Sequence, residues 1–346
     1  MRLFNDLYFR INDILRVNVI VLNYNGDKLL KECLPSIIRA KNISNYAVRV
    51  TVIDNESTDN SLKVLEEFKN EIDIILCKNR VLCSFNEVVA NQKEEIAVLL
   101  NNDMRVDEKF IDPLVHVFEQ KRDAFLVCPK CFNFTGEGIE GGRSKGFIKF
   151  GWFGAMAKYK GWEKELDKFN YTFQSGFGAV RKDIFTKLGG YDDLYLPGRL
   201  EDSDICFRSW KNGFKCYYEP ESIIYHKGGE TFNKTFGKNG VSSIDSRNTL
   251  LFFWKNITGL RYWMEHIFFL PVRLVYWLIK GEYSAIRGVF QAFGKIDIVS
   301  TKRRLKKKEQ YKITDRAIFE IFLKDYSMIG KISVNKSLSQ KQDSSR

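Results

Sequence analysis

Four clusters of polar residues, each next to an apolar run, hold the residue types from which a reaction could be built. Leu99-Leu-Asn-Asn-Asp103 sets an amide and a carboxylate two residues apart, beyond a run that reads as a buried strand. A carboxylate there can hold a hard divalent cation and leave other positions for phosphate oxygens and water. The same residues also suit an Asx turn. Asp54-Asn-Glu-Ser-Thr-Asp59 follows Val48 to Ile53 in the same way. Its Asp54 carboxylate can accept a hydrogen bond from a nucleobase N–H, or the segment can be turn and helix cap. Glu201-Asp202 precedes a helical run with apolar Ile205, Phe207 and Trp210. An acid poised there near a substrate hydroxyl is a candidate general base, although acids at a helix N-terminus are favourable for the dipole alone. His226, one of three histidines, closes Ile223-Ile-Tyr225 and precedes Lys227-Gly-Gly229. Its neutral ring nitrogen can ligate a metal, or it is a hydrogen-bonded polar group. Cys128-Pro-Lys-Cys131 has C-x-x-C spacing, but no second pair stands at zinc-finger distance. Cys128 is expected to end a strand and point into the core.

These clusters need a scaffold that gathers strand ends. Val17 to Leu22 is a β-branched run ending in the turn signal Asn23-Tyr-Asn-Gly26. Leu29, Leu30, Cys33, Leu34, Ile37 and Ile38 recur at helical spacing, with Pro35 as a kink. Leu62, Leu65 and Phe68 mark a second helix, with Ser57 or Thr58 as its cap. Further strands are expected at Ile72 to Leu76, Ile96 to Leu100 and Ala124 to Cys128, and a helix from about Phe85. Strands alternating with helices predict an α/β fold with right-handed crossovers and a mostly parallel sheet flanked by helices. Ligands in such sheets bind beyond the carboxyl ends of the strands. That rule singles out Asn23 and Asn25, then Asp54 and Asp59, then Asn101, Asn102 and Asp103. Residues 130–248 are less regular, and the five glycines from Gly136 to Gly146 predict a mobile connection.

The order of these clusters resembles that of the family 2 glycosyltransferases with the GT-A fold, especially the bacterial rhamnosyltransferase-like branch. The resemblance rests on Tyr24-Asn25, Asp54-Asn-x-Ser-Thr-Asp59, Asn86, Leu100-Asn-x-Asp103, Gly-Gly-Tyr-Asp192, Glu201-Asp202 and Tyr225-His226, and covers about residues 17–250. It implies a catalytic domain at 17–250, with a nucleotide-sugar half at 17–129 and an acceptor half at 130–250. It implies that Asp54 binds the nucleotide base, beside Asn23, Tyr24 and Asn25, with Asn79, Asn86 and Asn102 also on the donor side. Asn101 and Asp103 occupy the D-x-D position, where Asp103 would bind Mn²⁺ or Mg²⁺, and His226 resembles the additional metal ligand. Asp202 resembles the catalytic base; Glu201 and Trp210 support the acceptor side, and Arg247 would contact the diphosphate. Two departures stand out. Asn101 replaces the first D-x-D acid, and Arg80-Val-Leu-Cys83 replaces the usual glycine-bearing segment after Asn79. The implied reaction is inverting transfer from a UDP- or dTDP-sugar to a hydroxyl of a lipid-linked or polysaccharide acceptor. A sugar-nucleotide pyrophosphorylase would instead show a Gly-rich, Arg-containing loop after strand one, which Asn23-Tyr-Asn-Gly26 does not match. A basic nucleic-acid-binding protein is the remaining alternative.

Charge bears on that alternative. The 346 residues carry a net charge of +12, which predicts an anionic partner. Residues 1–260 hold 37 basic and 35 acidic side chains, whereas 261–346 hold 18 and 8. The surplus therefore lies outside the expected catalytic domain, which disfavours nucleic acid. It accompanies aromatic, amphipathic residues at 251–300 and the basic run Lys302-Arg-Arg-Leu-Lys-Lys-Lys308 in a polar tail at 301–346. That pairing predicts attachment to a membrane surface; the alternative is a helical bundle packing on the domain, or a homo-oligomer (dimer) contact, with a solvated basic tail. Ile267 to Ile279 is interrupted by Pro271 and Arg273, too short for a span. Seven cysteines are too few for a disulfide scaffold. The lead-in at 1–16 lacks a signal-peptide core. The expected location is cytoplasmic, peripheral on the inner face of the cell membrane.

Overall fold

β-branched Val and Ile fit a pleated strand, and Val17–Asn23 (β1) is buried along its whole length. The computed structural model describes residues 15–228, 230–307 and 311–323. All but the last two residues of the lead-in, Lys308 of the basic run and the tail beyond 323 lie outside them. After β1 come Asp27–Ile43 (α1), Val48–Asp54 (β2), Ser61–Glu67 (α2), Asp73–Leu76 (β3), Phe85–Asn91 (α3) and Ile96–Asn101 (β4). Helix α1 carries Pro35 within its span and continues to Ile43. β1 pairs in parallel with both β2 and β4, and β2 with β3. Asn23, Asp54 and Asn101 thus end neighbouring strands at one edge of the sheet.

Beyond β4 the sheet departs from the parallel expectation. Met104–Val106 (β5) and Ile111–Gln120 (α4) lead to Ala124–Asn133 (β6), then Ile139–Gly141 (β7), Lys145–Lys149 (β8), Trp152–Met156 (β9) and Asn170–Tyr171 (β10). Gly178–Arg181 (β11) runs antiparallel between β4 and β6. Lys182–Lys187 (α5) and Glu201–Lys211 (α6) precede Lys215–His226 (β12), which is parallel to β6. The order β10-β12-β6-β11-β4-β1-β2-β3 is therefore mixed. The excursion from β6 to residue 177 returns the chain at the carboxyl edge of β4, so β11 enters the sheet in the opposite direction. Part of the glycine-rich segment expected to be mobile is strand: β7 pairs with β6 and β8 with β9.

The chain continues as Glu230–Asn256 (α7), Leu260–Ile279 (α8), Tyr283–Phe293 (α9), Ile296–Lys307 (α10) and Asp315–Leu323 (α11). Helix α7 is broken by non-helical backbone at Gly237. The expected boundary at residue 250 falls inside α7, whose Leu250 to Phe253 are buried in the same hydrophobic core as Leu99 of β4 and Phe207 of α6. Residues 315–323, read as tail, also join that core: Phe319 stacks on Phe207 at 5.7 Å and Phe322 meets Trp210 edge-on at 5.5 Å. The buried pair Lys211–Asp315, 2.5 Å, pins α11 to the end of α6. The tail's charge hid three apolar residues, Ile318, Phe319 and Phe322, which one face of α11 buries.

Candidate functional site

Asn23 ends β1 fully buried, and its amide ties three strands together. Its Nδ2 donates to Asp54 Oδ2 at 2.8 Å and to Ser57 Oγ at 3.1 Å. Its Oδ1 accepts from Asn102 Nδ2 at 2.6 Å. Asp54 is 2% exposed, and its Oδ1 accepts from the Ser57 N–H at 2.9 Å. The carboxylate aimed at a nucleobase is thus first a tie between β1 and the 54–59 turn; a base contact would use the lone pairs these bonds leave. Ser57 is not a helix cap: Asn60 precedes α2, while Ser57 Oγ also accepts from the Asn25 N–H at 2.9 Å. Thr58 donates its N–H to Asn25 Oδ1 at 2.7 Å instead of capping. Gly26 lets the chain pass beneath this bracket, since a Cβ there would lie 2.0 Å from Asn102 Nδ2. Tyr24 stands above it, half exposed. Each buried hydrogen bond contributes about 1 kcal/mol, so the bracket fixes the rim before any ligand arrives.

Two residues past Asn101, Asp103 faces His226. The pairing of His226 with Met104 sets the two chains side by side. Asp103 Oδ2 lies 3.3 Å from His226 Nε2, and Glu140 Oε1 lies 3.2 Å from His226 Nδ1. Asp103 Oδ1 is buried and has no hydrogen-bond partner among the described residues. An orphaned carboxylate oxygen beside an imidazole nitrogen, with the Asn101 amide on the same strand end, is a donor set suited to Mn²⁺ or Mg²⁺. Burial lowers the pKa of His226, but Asp103 and then Glu140 outweigh it and hold the ring above its ordinary value. Cys131 Sγ comes within 4.8 Å of the Glu140 and His226 donors. Sequence spacing missed Glu140, because it lies in the stretch read as a connection; its only signal was an acid beside paired glycines.

The 174–177 segment links this corner to α6. Phe177 approaches the His226 ring at 6.3 Å. Gln174 Nε2 reaches Asp202 Oδ2 at 3.5 Å, and its Oε1 accepts from Ser203 Oγ. Asp202 Oδ1 accepts from the Ser203 N–H at 2.7 Å. Arg199 and Leu200, just before α6, both adopt positive φ. That strained entry is of a kind that clusters at functional sites. Burial raises the pKa of Asp202 above its ordinary value. Burial and then the neighbouring Asp202 push Glu201 up to about 8, and Glu201 Oε2 has no partner among the described residues. Two carboxyls at one buried helix start cannot both ionise cheaply. Gln174 was not singled out from sequence, since nothing in a lone glutamine marks it.

A buried ion network holds this helix from behind. Lys255, 1% exposed, pairs with Asp192 and lies 2.7 Å from Asp204 Oδ1. Arg208 donates to Asp204 Oδ2 at 2.7 Å, and Lys302 reaches Asp192 at 2.7 Å. Burial alone would raise Asp192, yet Lys255 holds it well below the usual range.

Other expected site residues serve as braces. Asn86, expected on the donor side, exchanges two 2.8 Å hydrogen bonds with the backbone of Tyr191, fixing the Gly-Gly-Tyr-Asp turn. Arg247, expected at the diphosphate, donates to the Leu196 carbonyl at 2.7 Å and to Asn248 Oδ1 at 2.9 Å. Asn79 lies past β3, and its side chain caps the Val81 N–H at 3.0 Å. Trp210 is fully buried and donates to the Phe173 carbonyl at 3.2 Å, backing α6 from the core. Cys128 does not end its strand: β6 runs on to Asn133. Three residues apart on one strand, Cys128 and Cys131 face opposite sides; both are free, and burial raises both thiols.

Residues 18–189 match the model of the family described as Glycosyl transferase family 2. A relative named "Probable N-acetylgalactosaminyltransferase 9", from Caenorhabditis elegans, is 24% identical over 167 residues, 45% of this chain and 28% of that protein. The Chondroitin synthase of Pasteurella multocida (strain Pm70) is 21% identical over 247 residues, 63% of this chain and 25% of that protein. The chain thus spans less than a third of either relative. The crystal structure of GalNAc-T7 with UDP, GalNAc and Mn²⁺ superposes with a TM-score of 0.51 at 18% identity, over 62% of this chain and 43% of that one. The fold is GT-A, and together these matches support a family 2 glycosyltransferase.

Proposed function

We propose that this family 2 glycosyltransferase is an inverting, divalent-metal-dependent enzyme. It moves a sugar from a UDP- or dTDP-linked donor, rhamnose-like sugars included, to a hydroxyl of a lipid-linked or polysaccharide acceptor in cell-surface glycan synthesis. The observation that carries the reading is the orphaned Asp103 oxygen beside His226, joined through the Phe177 and Gln174 segment to the raised Glu201–Asp202 pair. Supporting it are relatives named as glycosyltransferases and a GT-A neighbour whose crystal holds UDP and Mn²⁺. We take residues 17–250 as the catalytic part, with the donor at 17–129 and the acceptor at 130–250. Residues 251–346 would hold the enzyme against the inner face of a membrane.

In this reading Asp103, His226 and Asn101 hold the cation, which when bound neutralises charge growing on the departing diphosphate. Asn23, Asn102 and Asp54 keep the rim in register, with Tyr24 and Asn25 exposed toward the nucleoside. Asp202 accepts the acceptor hydroxyl proton while that oxygen bonds to the anomeric carbon from the opposite face. The bond from that carbon to the phosphate oxygen breaks, and the nucleoside diphosphate leaves with the electron pair. One displacement inverts the centre. The raised pKa of Asp202 makes its carboxylate a stronger base than a solvated one, and Gln174 with Ser203 orients it.

Replacing Asp202 by Asn tests the assignment. Transfer should fall by at least about a hundredfold, the scale of general-base contributions, while donor binding persists. Full transfer in that variant would remove Asp202 from the role.

A further inference from the structure

Helix α8 docks on the strands and helices before it by one face and, among the described residues, leaves the other bare. Inward, His266 and Trp277 are buried, and Trp277 meets Trp152 edge-on at 5.5 Å. Outward, Leu260, Met264, Phe268, Val272, Val275 and Ile279 recur every three or four residues, each between 54% and 77% exposed. At 1.5 Å rise per residue this stripe is about 30 Å long. Soluble monomers rarely leave so continuous an apolar strip in water. No described helix is long and apolar enough to cross a membrane.

Charge selects the occupant. From His266 to Gly281 the helix offers no carboxylate. Glu265, just before, is turned to Arg261 at 3.1 Å. Arg261 and Lys280 mark the two ends of the stripe, both exposed, and Tyr283, Arg287 and Phe290 continue the same mixture on α9. Pairing two copies face to face would set exposed Arg261, Lys280 and Arg287 of one copy against the same cations of the other. Aromatic and aliphatic side chains flanked by cations suit the headgroup boundary of an anionic bilayer. We propose that this face of α8 lies flat in that boundary. The proposal deepens the peripheral placement above and rests on no step of the transfer reaction.

The test is co-sedimentation of the full chain with phosphatidylcholine vesicles, with and without phosphatidylglycerol, for wild type and for Phe268→Asp/Val272→Asp. Both substitutions fall on exposed positions, so the fold should survive, which tryptophan fluorescence checks. Wild type should pellet with the anionic vesicles, and the double variant should lose about tenfold or more in partitioning. Donor binding should be equal in both, separating failure here from failure of the enzymatic reading. Three results would overturn the proposal. Wild type staying in the supernatant does so whatever covers the face, and so does equal pelleting of the variant. The third is a wild-type dimer that ignores vesicles and dissociates on substitution, which would assign the face to a second copy.

Discussion

Replacing Glu201 by Gln should stabilise the protein, and increasingly so as pH rises. Glu201 opens α6 with one oxygen buried and unpartnered among the described residues, beside the partly buried Asp202. Its pKa rises from 4.5 to about 8 on folding. A carboxyl whose folded pKa is raised stabilises the fold fully below its unfolded pKa and loses that contribution as pH climbs through the folded value. The wild-type penalty therefore grows between pH 4.5 and about 8. Each pKa unit corresponds to about 1.4 kcal/mol, and sharing of the burden with Asp202 trims the sum, leaving on the order of 3 kcal/mol. Glutamine is isosteric and never ionises, so the variant escapes the penalty. Urea unfolding followed by tryptophan fluorescence at a series of pH values gives the difference directly. Wild type and variant should nearly coincide near the acid end and diverge toward pH 8 with the variant more stable. A difference independent of pH, or one favouring wild type at high pH, would refute the reasoning.

Three further outcomes follow from the same geometry. Lys255→Met strands the carboxylates of Asp192 and Asp204 in the core, and should cost about 3–5 kcal/mol of stability; a loss below about 1 kcal/mol would mean that Lys302 and Arg208 compensate. Glu140→Gln weakens the hold on His226 Nδ1, so Mn²⁺ affinity in the presence of UDP, read by electron paramagnetic resonance, should fall about 10–100-fold. Unchanged affinity would assign Glu140 no part in orienting the ring. The acid limb of the transfer pH profile should lie above the ordinary aspartate value, because burial raises Asp202; a limb at or below that value would exclude Asp202 as the titrating base.

The strand–helix alternation through residue 101 was legible because β1, β2 and β4 are apolar runs bounded by turn residues, and periodicity reports that directly. The antiparallel β11 was not, since four residues, Gly178–Arg181, carry no signal of direction. The rim residues Asn23, Asp54, Asn101 and Asp103 could be named because each sits at a strand end. What spacing could not reveal is how their polar atoms are spent. Asn86 and Arg247 look like ligand contacts in sequence, yet their hydrogen bonds go to Tyr191 and Leu196. Glu140 and Gln174 reach the site from segments far away in the chain, and only tertiary packing brings them there. Helix α11 shows a further failure of local reading, because its place in the core depends on Phe173 and Phe207, more than a hundred residues upstream.

The central claim is that Asp103 and His226 hold a cation that secures a nucleotide-sugar diphosphate at this rim. Calorimetric titration of UDP-, dTDP- and GDP-sugars, with and without Mn²⁺, into wild type and Asp103→Ala tests it most directly. At least one donor should bind wild type only with Mn²⁺, and the variant should lose that binding by about tenfold or more. Equal affinity with and without Mn²⁺, undiminished binding in Asp103→Ala, or no binding of any nucleotide sugar would contradict the account.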